Sequence, residues 1–421
     1  KDGGDRVKQV LPFSTVDSND PEKLWEYLAA YEKATGGSVM AIAHNGNVSN
    51  GQMFPLVRLN GQPINRAYAE TRMRWEPLYE ITQMKGDGEA HPFLSPNDEF
   101  ADYGTWDKGD IAGLKPKKNE MLQYEYARTA YQVGLQQEEK LGVNPYKFGV
   151  VGSTDAHTSL ATTREENNWS KTPTMEPSPD RWEHVVIGSV AGDDTLTTYS
   201  HETLASGLAA VWARENTREA LFNAMQKKET YATTGTRILV RFFGGWDYGK
   251  DEVFRPDAVS IGYDKGVPMG GDLPKKPEGK KAPVFMVAAL KDTWSGNLDR
   301  IQIVKGWVDK GGKRQERIYD VAVSDDRKIG ADGRCKIPVG STVDTADASY
   351  LNNIGDAELR AVWTDPDFDP ALRAVYYARV LEIPTPTWQA YDCKFFGIEM
   401  PEEVPLSHQE RAYTSPIWYT P

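Results

Sequence analysis

Asp155-Ala156-His157 sets a carboxylate and an imidazole two residues apart, directly after an apolar run at residues 147–152. In extended backbone, residues i and i+2 project to the same side, so these two groups can converge on one cation. A carboxylate with an imidazole suits zinc, manganese or iron. His44, in Ala43-His44-Asn45-Gly46-Asn47, ends a second apolar run at residues 38–43. A third, residues 78–84, leads into Lys85-Gly86-Asp87-Gly88-Glu89-Ala90-His91. There Lys85 could meet an anionic group, and Glu89 or His91 could carry a proton. Asn45 and Arg237 are further candidates for substrate contact, the guanidinium of Arg237 matching a pair of phosphate or sulfate oxygens. Each reading has a plainer rival: Asp155 capping a turn, a lone histidine hydrogen-bonded for structure, a polar turn at residues 85–89, Arg237 in a surface ion pair. His184, His201 and His408 read as non-ligands.

The elements that must position these groups are legible around them. Asp20-Pro21 is an N-cap followed by a first-turn proline, and Gly36-Gly37 closes the helix they open. A long helix runs from about residue 121 to 141, with Tyr124, Ala127, Tyr131 and Leu135 on one stripe and Gly142 as its stop. Short apolar strands alternating with helices favour a parallel sheet or barrel, and in such folds ligands gather at the carboxyl ends of the strands. Residues 160–205 are polar and irregular, an excursion of a length that is often functional. Asn216 reads as the cap of one more helix, with Glu219 three residues on. From residue 236 the texture changes: residues 236–243, 284–290, 300–307, 317–323 and 374–383 are strand-like, separated by Gly, Pro, Asp and Lys. The expected organisation is an α/β unit over residues 1–235 and an antiparallel β-sandwich over 236–421.

Composition removes several classes. Of 421 residues, 39% are hydrophobic and 26% charged, ample for a buried core. Acidic residues outnumber basic ones 61 to 49, a formal charge of -12, so the basic footprint of a nucleic-acid binder is missing. No apolar run reaches the roughly 18 residues of a membrane span. The two cysteines, Cys335 and Cys393, could pair or be unrelated thiols. Residues 244–250 imitate the start of a phosphate-binding loop, but Asp251 stands where Ser or Thr would hold magnesium.

Taken together, His44-Asn45-Gly46-Asn47, Ser153-Thr154-Asp155-Ala156-His157, Tyr231-Ala232-Thr233-Thr234-Gly235-Thr236-Arg237-Ile238 and the closing Ala412-Tyr413-Thr414-Ser415-Pro416-Ile417-Trp418-Tyr419 resemble the DUF3604 family, itself similar to the PHP (polymerase and histidinol phosphatase) metallohydrolases. The resemblance implies an irregular α/β barrel carrying two or three divalent transition metals, zinc, manganese or iron, at its strand ends. His44, Asp155 and His157 match the later ligands of that site. The initial His-x-His pair has no counterpart here, so the chain is expected to hold the C-terminal portion of the barrel, with an upstream segment or chain completing it. The implied activity is hydrolysis of a small anionic ester, a phosphoester first and a sulfate ester, carbamate or carboxylic ester as variants, with a non-enzymatic glycan- or protein-binding module as the rival class. The resemblance and the non-Met start point to an extracytoplasmic location.

Overall fold

The computed structural model describes residues 4–190 and 192–421. Its first long helix, Pro21–Thr35, begins where the Asp20 carboxylate accepts the Glu22 N–H at 3.0 Å and ends on left-handed Gly36. Trp25 and Leu28 on its inner face pack against Ile64, Tyr68 and Trp75, the last two on helix Arg66–Trp75. The helix expected from about residue 121 is in fact two, Asn119–Leu122 and Ala127–Leu141. The break has a physical cause. The first amide groups of the second helix have no carbonyl of their own to meet, and Ala127 and Arg128 donate theirs to Gly88 and Glu89 of the 85–91 turn at 2.8 and 3.0 Å.

Three strands, β1 (Ile42–Ala43), β2 (Leu78–Gln83) and β4 (Gly149–Gly152), pair in parallel with β2 in the middle, Leu78 lying opposite both Ile42 and Gly149. A two-residue strand, β3 (Gly86–Asp87), folds back on the end of β2. Their carboxyl ends therefore open on one side, as the sequence implies. Among the described residues no closed barrel forms. The free side of β4 is instead covered: Val150 donates its N–H to Ser415 Oγ and accepts from the Thr230 hydroxyl, each at 2.9 Å. Backbone groups that would otherwise make an exposed sheet edge are thereby satisfied.

The excursion after β4 holds a small hairpin, β5 (Val185–Ile187) with β6 (Thr198–Tyr199), among single turns of 3-10 helix. It is anchored rather than loose. Buried Arg181 makes a two-point bond to Asp392 at 2.5 and 2.7 Å, donates to Asn168 O, and lies over the Trp388 ring. Next come β7 (Leu208–Val211), helix Arg218–Gln226, capped by Thr217 rather than Asn216, and β8 (Thr230–Thr233).

The remaining strands are β9 (Leu239–Gly245), β10 (Gly266–Pro268), β11 (Val284–Leu290), β12 (Leu298–Val308), β13 (Arg314–Val323), β14 (Glu358–Thr364), β15 (Ala374–Glu382), β16 (Thr385–Pro386), β17 (Ser407–His408), β18 (Arg411–Thr414) and β19 (Ile417–Tyr419). One antiparallel sheet has the order β10-β9-β11-β14; a larger one runs β13-β12-β15-β18-β8-β7, with β19 also on β15. Phe242, Phe285 and Val287 from the first meet Ile301, Ile303, Tyr376 and Val380 from the second in one shared core. The division expected at residue 235 cuts through the larger sheet, because β7 and β8 precede it and β8 pairs with β18. Tyr231 and Ala232 in β8 are both buried, and the backbone pairing of β8 with β18 and β7 is what binds the two halves into one sheet. In the glycine-rich stretch at residues 244–250, Gly244 and Gly245 end β9, and buried Trp246 donates to Pro274 O at 3.0 Å. Cys335 and Cys393 are unpaired.

Candidate functional site

The three parallel strand ends are tied together by a string of polar contacts. Glu80 on β2 accepts from the Ser153 hydroxyl beyond β4 and from Gln83 Nε2 at 2.7 Å, and the same Gln83 amide reaches Asn45 Oδ1, beyond β1, at 3.0 Å. Asn47 Nδ2 donates to the Lys85 carbonyl at 2.9 Å and fixes the turn after β2. Gly46 has to be glycine, since a Cβ there would sit 2.5 Å from the Glu125 carbonyl oxygen, closer than real contacts allow. Asn45 therefore acts on the register of the strand ends.

On this frame Asp155, in the left-handed region at φ 50°, turns its carboxylate into a group of cations. Lys85, side chain 6% exposed, and Lys171, from the excursion, both pair with Oδ2, Lys171 at 2.5 Å. The other oxygen, Oδ1, lies 3.2 Å from His157 Nε2, which is also 3.2 Å from the Lys171 ammonium. Burial works against the Asp155 charge, but the bonds from Lys171 and then Lys85 outweigh it and hold the carboxyl down at about 2. The Lys171 pKa is lowered too, by burial and by neighbouring Lys85 against the attraction of Asp155. Lys171 lies in the irregular excursion, and no local pattern marks it. Only the strand-end position of Asp155 could have suggested that something basic closes over it.

Of the metal site that the resemblance implies, the structure brings two ligand atoms together, beside two ammoniums on the same carboxylate. With ligand bonds near 2.1 Å and angles of about 90–110°, two atoms on one ion lie roughly 3.0–3.4 Å apart, and the 3.2 Å between Asp155 Oδ1 and His157 Nε2 falls inside that range. His157 is exposed, as is His44 at the end of β1, two strands away in the same sheet.

Three expected site residues belong elsewhere. Glu89 is buried among Arg128, Arg379, Asp98 and Tyr377: Arg128 reaches Oε1 at 2.5 and 2.9 Å and Arg379 reaches Oε2 at 3.1 Å. Burial opposes the charge, yet Arg128 and Arg379 together keep the carboxyl below its ordinary range. A carboxylate clamped in this way is a structural anion, which corrects its reading as a general acid or base. His91 is also buried. Its Nδ1 accepts the Phe93 N–H at 3.1 Å, which leaves the proton on Nε2 facing Asp107 at 3.3 Å, while the ring lies against Tyr126. It orders the 91–107 loop. Arg237 is exposed and its backbone N–H is held by Asp292 at 2.8 Å, so it stands outside the Asp155 group.

His408, read as a non-ligand, sits in a cluster of carboxylates that the sequence does not signal. Its Nε2 sits 3.3 Å from Glu165 Oε1 and 3.2 Å from Glu410 Oε1, in a wall of a cleft of about 960 Å³. Burial works against a charged imidazole here, but Glu410 and then Glu165 push its pKa up to about 10. Histidine 408 is separated from Glu165 by 243 positions, and nothing in the local sequence signals the encounter.

These features define a mixed α/β protein in which a carboxylate–imidazole pair, flanked by two lysines, stands at the ends of parallel strands. The chain belongs to the family described as "Protein of unknown function (DUF3604)", whose pattern matches residues 1–421. No curated protein and no solved structure matches it.

Proposed function

We propose that the chain carries part of the active site of a metal-dependent hydrolase, similar to the PHP metallohydrolases, acting on a small anionic ester, with a phosphoester the leading candidate. The observation that supports this most is the convergence of Asp155, His157, Lys85 and Lys171 at one strand end. Asp155 Oδ1 and His157 Nε2 would hold a divalent ion, with His44 at the end of β1 lying outside their immediate cluster. Such an ion, once bound, supplies Lewis acidity to an ester oxygen and to attacking water. The remaining work belongs to the protein. Lys85 and Lys171 attract and orient the anionic group, both being tethered on Asp155 Oδ2 and so prepaid in side-chain entropy. Lys171, whose proton is already loosened by its surroundings, can deliver it from Nζ to the departing oxygen. Ser153, Glu80, Gln83 and Asn45 keep the three strand ends in register.

The test is Asp155→Asn, with bound metal measured by mass spectrometry and turnover on a panel of aryl phosphate, sulfate and carboxylate esters. Metal content and turnover should fall together. Unchanged metal content with full turnover would remove Asp155 from the reaction and the proposal with it.

A further inference from the structure

We propose that Glu165, His408 and Glu410 form a second binding site, for a divalent transition-metal ion such as zinc. The three come from separate parts of the fold: Glu165 from a 3-10 turn in the excursion, His408 from β17, and Glu410 from the residue before β18. One ligand atom from each lies within 4.8 Å of the others, and the distances from the imidazole nitrogen, 3.2 and 3.3 Å, are those of neighbouring atoms in a single coordination shell.

The carboxylates are prepared in the way metal ligands are. Each has one oxygen already occupied and one left over. Glu165 Oε2 accepts the backbone N–H of Trp388, at the start of helix Trp388–Phe396, at 2.5 Å. Glu410 Oε2 takes the Thr234 hydroxyl and, at 3.3 Å, that of Tyr103. Outer partners of this kind fix a ligand's orientation and leave its free lone pair aimed at the ion. The left-over atoms are the second, independent observation. Glu165 Oε1 and His408 Nε2 are both buried, the Glu165 side chain being only 9% exposed, and neither makes a well-directed hydrogen bond; they face each other only as an ion pair at 3.3 Å. Buried polar atoms without a directed bond cost about 1–3 kcal/mol each, and a divalent cation taking the place of the imidazole proton would satisfy both at once.

Two carboxylates with one imidazole suit zinc, iron or manganese over magnesium or calcium, which prefer all-oxygen shells. Three protein ligands leave coordination positions free. Glu165 and His408 border the 960 Å³ cleft, and Glu165 and Glu410 border a smaller one of about 250 Å³, so the ion could be reached from either side. The geometry points to an open site of the catalytic or ligand-binding kind. It lies at the junction of the excursion with the segment between β16 and β18, so an ion there would also brace that junction.

Cobalt(II), whose four- and five-coordinate complexes absorb visible light, is the probe. The chelated full chain carrying Asp155→Asn, which disables the strand-end pair, is titrated with cobalt alone; Glu165→Gln and His408→Gln are then added singly. The Asp155→Asn protein should take up one equivalent with a visible band, and each added substitution should weaken that uptake by more than the roughly 10–100-fold seen when only an outer partner is lost. Uptake indifferent to both substitutions would overturn the site, as would no uptake at all by Asp155→Asn protein that melts normally. Zinc-edge anomalous scattering from crystals of the unaltered chain grown with zinc covers the case in which the variants do not fold. A peak between the three side chains supports the proposal, and no peak at millimolar zinc rejects it.

Discussion

Glu89→Gln separates a structural carboxylate from a catalytic one. The substitution keeps the shape of the side chain and removes its charge at the centre of a group whose members are all 2% exposed or less: Glu89, Asp98, Arg128 and Arg379. In the native protein two guanidiniums face two carboxylates, and Glu89 receives three guanidinium bonds together with the Tyr377 hydroxyl. A glutamine offers a single acceptor oxygen and turns an NH2 group toward a cation, so at least one guanidinium nitrogen loses its bond. Asp98 is then the sole anion left to both arginines within that group of four. Charge-assisted bonds are worth about 1.5–3 kcal/mol each, and breaking a buried ion pair from one side costs about 3–5 kcal/mol. Urea unfolding at pH 7 should register a loss in that second range, a large share of the 5–15 kcal/mol typical of a domain. The sign of the pH dependence follows from the depressed carboxyl. Its contribution is complete above the unfolded value near 4.3 and is lost as pH falls toward the folded value, so the gap between variant and native protein should narrow in acid. A variant that unfolds like the native chain at pH 7 but has lost turnover would refute this reasoning and return Glu89 to the acid–base role.

Two further outcomes follow from the same frame. Lys171→Met removes one of the two ammoniums on Asp155, so the carboxyl should titrate above its present value of about 2 in a carbon-detected NMR titration, and loss of the proton donor should lower kcat for an anionic ester as well as raise KM. Gly152→Ala places a methyl group 2.9 Å from Leu208 N, Leu208 O and Thr233 O, three backbone atoms that cannot move independently. Overpacking of that kind costs about 1–3 kcal/mol, and because β4 carries Ser153 and Asp155 at its end, thermal stability and metal content should drop together.

Much of this arrangement is written in local sequence. The cap at Asp20-Pro21, the stops at Gly36 and Gly142, and the strand ends after residues 43, 83 and 152 are all short-range matters of backbone preference and apolar run length, and each is found close to where the sequence puts it. Asp155 and His157 are also close in sequence, but the extended backbone assumed for them is not what joins them: Asp155 is left-handed at φ 50°, beyond the end of β4, and the two groups still lie 3.2 Å apart. What escapes is long-range. Glu89 looks like a reactive carboxylate in a polar turn until Arg128 and Arg379, 39 and 290 positions away, close on it. β14, which alternates in burial along its first residues, and the helix Trp388–Phe396 stand outside the elements expected from sequence.

The failure at residue 235 carries the most physical content. The sequence texture does change there, from alternating strands and helices to strands alone, and a boundary is the natural inference. The chain instead places β8, the last strand before the change, against β18 in its other half, with Ala232 opposite Tyr413. Thr234 just beyond β8 then reaches Glu410 just before β18, and Ser415 just after β18 reaches back to Val150 in β4. One pairing therefore links the strand that aims Asp155 to the strand that follows Glu410. A protein with independent halves would have had no means of fixing those two groups in one frame. Here any displacement of β18 must be felt at both, because the backbone hydrogen bonds between β18 and β8 and the Ser415 bond to β4 leave the intervening strands little freedom to absorb it.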